Sequence, residues 1–353
     1  MTIATSMPSV GPLLRRAIAD RVFPGAVVEV GRTGGALATI VAGRQTYQPS
    51  SAAVDARTVY DLASLTKVLS TAALIADELA SGRMRLNDRV RHWIASWTGE
   101  DRQTVTIQDL LEHASGLPGH RPYYQSRRGR SSIELAICEE PLAYLPRAQS
   151  IYSDPGFMLL GFALENAAGA TLGRQFDAWR ERELGAGVEL CYRPGGEWRE
   201  RTAPTEDTPP GDERRGEVHD ENTEALGGVA AHAGLFGTAA AVGACARWWM
   251  RSAALPQFAT RSTVPGSSRA LAWDTMLPTS SCGTKLSAGA VGHTGFTDTS
   301  LWIDVAKDLY VVTLSNRVHP TRHREGMQDV RRALHDAVVT DLAGAGPADA
   351  GRG

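Results

Sequence analysis

The strand-length apolar runs of this chain gather at its two ends and come in pairs joined by short turns. Near the start, residues 26–30 and 36–41 flank Gly31-Arg32-Thr33-Gly34-Gly35; near the end, 300–305 and 309–314 flank Ala306-Lys307-Asp308. Such pairs close as antiparallel hairpins, because a parallel pair needs a crossover of roughly a dozen residues or more. A further run at 288–293 precedes the second pair. The expected fold class is therefore α+β, of the α/β sandwich type. An antiparallel sheet is built from both chain ends and flanked by helices, with a mainly helical region inserted between them.

Helical spacing supports that division. Residues 13–22 form one amphipathic run, stopped by Phe23-Pro24-Gly25, and 325–342 form a closing helix. Residues 59–62 lead into Ser64, after which Leu65, Val68, Leu69, Ala72 and Ile75 keep helical spacing as far as Ser81-Gly82. Helices are expected within the middle at 107–113, 131–139, 157–168 and 172–183, while 192–221, rich in Pro, Gly and charge, is expected to be a long surface excursion. The domain division expected is 10–83 with 251–342 as the sheet-bearing part, 84–250 as the helical insertion, and 343–353 as a disordered tail.

At 353 residues the chain can bury a large core, and its formal net charge of −2 gives no reason to expect a nucleic-acid partner. No run of about eighteen apolar residues is present, so no membrane span is expected. The polar stretch 1–10 lacks basic residues, and Arg15, Arg16, Asp20 and Arg21 interrupt residues 11–22. A signal peptide is not expected, and the expected location is cytoplasmic. Cys138, Cys191, Cys245 and Cys282 lie far apart, which argues against zinc or redox motifs. His219-Asp220-Glu221 with His232 matches no metal-ligand spacing and is assigned to a solvated loop, as is the basic run 127–130. No cofactor or metal is expected, and the partner expected is a small-molecule or peptide substrate.

The chemistry is concentrated in Ser64-Leu65-Thr66-Lys67. The chain's lysines are Lys67, Lys285 and Lys307, its other basic residues being arginines, which stay protonated and cannot serve as bases. Residues three apart share a helix face, so the Lys67 amine can reach the Ser64 hydroxyl. A buried amine with a lowered pKa could take its proton. Such a pair calls for a second proton relay and for oxyanion donors. Tyr152-Ser153-Asp154 stands just ahead of a helix opening near Pro155-Gly156, where the N-terminal field favours a phenolate. His293-Thr294-Gly295 ends a strand: Thr294 can donate to a carboxylate, and Gly295 would let substrate lie close. Residues 110–118, Leu-Leu-Glu-His-Ala-Ser-Gly-Leu-Pro, have the look of architectural support.

Together and in this order, these motifs resemble the serine β-lactamase and penicillin-binding-protein superfamily, specifically its class C branch with its esterase and D-aminopeptidase-type members. The likeness spans about residues 10 to 340, and the stretches 151–161 and 226–236 are most similar to the peptidase- and esterase-type members. The resemblance implies that Ser64 attacks a carbonyl to form an acyl-enzyme while Lys67 and Tyr152 shuttle protons. It also implies that the backbone N–H groups of Ser64 and Phe296 hold the oxyanion.

Two departures weaken the case for drug hydrolysis. Class C β-lactamases carry Asn where Asp154 stands, and an ionised Asp154 can only accept. They carry Lys where His293 stands, and a histidine is only partly charged near neutral pH. The function expected is a serine hydrolase of esters or amides, weak on β-lactams. An acyltransferase using the same acyl-enzyme, and a non-catalytic binding module that keeps the fold, remain as alternatives.

Overall fold

The computed structural model describes residues 7–209 and 211–344. Its strands, in chain order, are β1 Gly25–Arg32, β2 Gly35–Gly43, β3 Tyr60–Asp61, β4 Leu190–Tyr192, β5 Leu235–Gly237, β6 Asp274–Thr275, β7 Val291–Thr294, β8 Ser300–Asp304 and β9 Leu309–Ser315. The main sheet has six of them, all paired antiparallel, in the order β2-β1-β9-β8-β7-β6. The N-terminal hairpin thus joins the C-terminal strands through β1 and β9, as expected of a sheet drawn from both chain ends. The two hairpin tips are tied together: the Thr33 N–H and hydroxyl donate to Asp308 Oδ1 at 2.9 and 2.7 Å.

Alternation along the strands sorts side chains onto two buried faces. Val28, Val30, Val311 and Trp302 pack beneath the helices Val10–Ala19 and Met327–Gly344, which supply Val10, Leu14, Leu334 and Val338. Val27, Leu301, Val312 and Leu314 face the other way, into a core shared with Leu69, Val242 and Trp249. The helix Ala239–Arg251, within the region assigned above to the helical insertion, lies across this second face against β1, β8 and β9.

The three short strands β3, β4 and β5 form a separate sheet in the order β3-β5-β4. The apolar run at 59–62 therefore joins this small sheet, which holds the approach to Ser64. Ala343 and Gly344, assigned above to a disordered tail, are the last residues of the closing helix; 345–353 lie outside the described residues, as do 1–6 at the other end. Among the described residues no helix is long and apolar enough to cross a membrane.

Candidate active site

Ser64 sits in a single 3₁₀ turn, Ala63–Leu65, followed by a π-helical turn, Lys67–Thr71, and then by the α-helix Ala72–Ala80. The regular helix expected from Ser64 onward is thus tightened and then widened in its first turns, a feature frequent at functional sites. Ser64 and Lys67 still meet: Lys67 Nζ donates to Ser64 Oγ at 3.1 Å. The ammonium is fully buried and makes two further bonds, to Asp154 Oδ1 at 2.8 Å and to the His232 carbonyl at 3.0 Å.

Those partners reverse the expected state of the amine. Burial alone would lower the Lys67 pKa, but the Asp154 carboxylate, with Tyr152, outweighs it, and the pKa is raised above the ordinary lysine value. Lys67 rests as an ammonium. Asp154 is correspondingly driven well below the usual carboxylate range: burial acts against ionisation, and Lys67, His120 and His232 overcome it. Tyr152 also departs from expectation. Burial raises its pKa, opposed by the Lys67 charge and by its contacts with Lys67 and Ser64, so it rests as a phenol rather than a phenolate.

The 110–118 block holds this wall in place. His113 is buried; its Nδ1 accepts from the Ser153 N–H at 2.9 Å, and its ring lies 4.6 Å from that of Tyr152 and 5.0 Å from that of Phe157. Burial first, then Arg269 and Lys67, keep its pKa far below the ordinary histidine value. Ser153 caps the helix Asp154–Ala168 by accepting from the Gly156 N–H, and its hydroxyl donates to the Pro118 carbonyl at 2.7 Å. Tyr152 and Asp154 are therefore both fixed by the cap of one helix.

On the opposite wall, His293 is buried, and its Nδ1 lies 2.8 Å from the Thr294 carbonyl. Burial, followed by the charges of Lys67 and Arg269, pushes its pKa well below the ordinary value, so it offers no cation near neutral pH. Gly295 is required by packing: a Cβ there would fall 2.3 Å from Thr299 Oγ1 and 2.6 Å from the Leu62 carbonyl. The β7–β8 loop presses directly on the segment before Ser64. Beyond it, Phe296 is half exposed, and its ring stacks on that of His219 at 5.6 Å.

These groups line a cavity of about 640 Å³ that includes Ser64, Tyr152, Asp154, His293, Thr294, Gly295 and Phe296. All the expected site residues meet here except the buried Lys67, which lies beneath Ser64. Residues not singled out from the sequence join them. Arg269, just before β6, faces the cavity with its guanidinium 5.2 Å from the Tyr152 ring centroid. Its side chain has no hydrogen-bond or carboxylate partner among the described residues, although its β-bridge partner Asp274 also lines the cavity. Nothing local distinguishes Arg269 from the chain's many other arginines.

The 192–221 excursion runs largely over the surface as expected, but its end, His219-Asp220-Glu221, assigned above to a solvated loop, lines the cavity. His219 is buried at the cavity rim, its N–H donating to Asp61 Oδ2 at 2.7 Å. Asp220 pairs with His232 Nε2 at 2.8 Å. Among the described residues, no group of His, Cys, Asp and Glu side chains has the arrangement of a metal site.

Comparison with known proteins agrees with this architecture. The beta-lactamase family model matches residues 12–336. A protein of Escherichia coli (strain K12) named "Putative D-alanyl-D-alanine carboxypeptidase" is 30% identical over 309 residues, covering 74% of this chain and 70% of its own length. The "N-acetylmuramyl-L-alanine amidase" of Bacillus subtilis (strain 168) is 28% identical over 349 residues, covering 84% and 78%. Among solved structures, EstCE1, described as a hydrolase with promiscuous acyltransferase activity, superposes with a TM-score of 0.76 at 17% identity, covering 94% of this chain and 97% of its own. At that identity the likeness concerns the fold.

Proposed function

The chain belongs to the beta-lactamase family as a serine hydrolase of its β-lactamase-related members, and from that premise we propose that it cleaves an amide or ester through an acyl-enzyme on Ser64. The observation that carries the proposal is the 3.1 Å contact between Ser64 Oγ and the buried Lys67 ammonium at the floor of the cavity.

The raised pKa values of Lys67 and Tyr152 support a coupled proton transfer. Lys67 is already protonated, so it stabilises negative charge growing on Ser64 Oγ instead of taking the proton. Tyr152 passes the proton along: its oxygen accepts the Ser64 proton while its own proton moves to the departing heteroatom. The Oγ–carbon bond forms as the carbonyl π pair moves onto oxygen, and the tetrahedral oxyanion then collapses, breaking the bond to the leaving group that has taken the Tyr152 proton; no resting base is required. The N–H groups of Ser64 and Phe296 face the oxyanion, and water then releases the acyl group.

Arg269 favours a substrate whose leaving group is anionic. A guanidinium beside Tyr152 with no carboxylate partner among the described residues suits a leaving group that carries a carboxylate, such as the C-terminal residue of a peptide. The neutral His293 cannot supply that charge. The names of the curated relatives, a carboxypeptidase and an amidase, point to the same bond class.

Intact-protein mass spectrometry after exposure to a fluorophosphonate tests the proposal. The wild type should gain one phosphonyl group and Ser64→Ala none. No labelling of the wild type, or equal labelling of Ser64→Ala, would overturn it. Products formed from a peptide substrate in the presence of an added amine separate hydrolysis from acyl transfer: mainly free acid supports the hydrolase.

A further inference from the structure

We propose that Asp61 is a positioning residue that fixes both oxyanion donors, the N–H groups of Ser64 and Phe296, by anchoring the turn and the loop that carry them. The inference rests on the acyl-serine reading of the site.

Asp61 lies at the end of β3 and is almost wholly buried. Its Oδ1 accepts from the Ala63 N–H at 2.8 Å and its Oδ2 from the His219 N–H at 2.7 Å. A carboxylate at this depth is costly to desolvate, and an apolar residue would fill the site at lower cost. Burial raises the Asp61 pKa, and the backbone N–H groups of His219 and Ala63 oppose it. What the carboxylate holds is therefore the backbone itself.

The first bond secures the nucleophile turn. Ala63 has φ of 46°, a left-handed conformation that a residue with a Cβ adopts only under constraint. That turn brings Ser64 to the cavity wall. The Asp61 and Leu62 carbonyls secure the opposite side, accepting from Thr297 Oγ1 at 2.7 Å and from Thr299 Oγ1 at 3.0 Å. Those threonines hold the loop that carries the Phe296 N–H. The second carboxylate oxygen adds the third wall, because His219 stacks on the Phe296 ring. One short segment thus sets the spacing between donors on two different elements, a spacing on which oxyanion binding depends steeply.

Asp61→Asn keeps the volume but turns an amide NH₂ toward one of the two backbone N–H groups. For a p-nitrophenyl ester, kcat should fall at least about tenfold, with KM within about threefold. A matched ester and thionoester supply the readout that a merely structural role would not move. Sulfur accepts hydrogen bonds poorly, so the wild type should strongly prefer the oxygen ester, and Asp61→Asn should shrink that preference. Unchanged kcat, or a lowered kcat with an unchanged oxygen-to-sulfur ratio, overturns the proposal. If Asp61→Asn does not fold, Thr297→Val, which removes only the hydroxyl on the Asp61 carbonyl, decides it: a reduced ratio supports the role and an unchanged one overturns it. Full turnover by Ser64→Ala would instead overturn the acyl-serine reading.

Discussion

Asp154 Oδ1 accepts a hydrogen bond from Lys67 Nζ at 2.8 Å, and this ion pair makes Lys67 a fixed cation beside Ser64 instead of a resting base. The pair joins the helical segment that follows Ser64 to the helix capped by Ser153.

Removing the Asp154 charge should move the alkaline limit of activity. In the wild type the Lys67 pKa stands above the ordinary value, so the ammonium, and the activity that depends on it, persists beyond the usual lysine range and is lost only as pH rises through the folded pKa. In Asp154→Asn burial acts unopposed by that carboxylate, and the alkaline limb of the kcat/KM profile should shift to lower pH. Breaking a buried pair by removing one partner should also lower stability at pH 7 by about 3 kcal/mol. The Asp154 contribution is fully present above the ordinary Asp pKa and is lost as pH falls through its depressed folded value, so the difference between variant and wild type should narrow in acid. An unmoved alkaline limb would contradict the ammonium role.

Tyr152→Phe should keep the cleft intact and break the proton relay. A loss in kcat of about 10²–10⁴, with KM changed only a few-fold, is the expected outcome in steady-state kinetics. Retention of most of kcat would mean that the proton leaves Ser64 by another path.

Arg269→Gln should act on substrates according to their charge. With S-acyl thioglycolate and its methyl ester as a matched pair, the wild type should favour the free acid. The variant should lose about tenfold or more in kcat/KM on the acid and little on the ester. Equal losses on both would instead assign Arg269 to support of the Tyr152 ring.

Nitrocefin should be turned over poorly. Asp154 holds its charge at all moderate pH values and presents only acceptors where an acylamino carbonyl needs a donor. A turnover rate comparable to that of a resistance enzyme would refute this.

Gly292→Ala should destabilise the fold without any backbone conformational cost. A Cβ at Gly292 falls 2.1 Å from the indole of Trp302, a rigid ring buried on the face beneath the terminal helices. A loss of about 1–3 kcal/mol is expected in chemical denaturation. Wild-type stability would show that the ring can move aside.

The local part of the site was legible because it depends on spacing. Ser64 and Lys67 lie within one turn, Tyr152 and Asp154 flank a helix cap, and His293 to Phe296 end a strand, so each group could be found from its own neighbours. Arg269 and His219 could not be found this way. Each reaches the cavity from a segment with no motif of its own, and the Pro- and Gly-rich composition of 192–221 marked a surface loop although the segment is pinned to Asp61.

The sequence by itself determined the antiparallel sheet, the order of the motifs and the pairing of a serine with a lysine, since hairpin closure and helical periodicity act between near neighbours. The protonation states were decided only by the tertiary structure. Lys67 was expected to be a base because burial lowers an amine's pKa, and in the fold a carboxylate 87 residues further along the chain overrides that burial. Burial and through-space charge act only once the chain has folded: burial leads for Tyr152 and His293, with Lys67 the leading charge, and Asp154 is the charge brought beside Lys67.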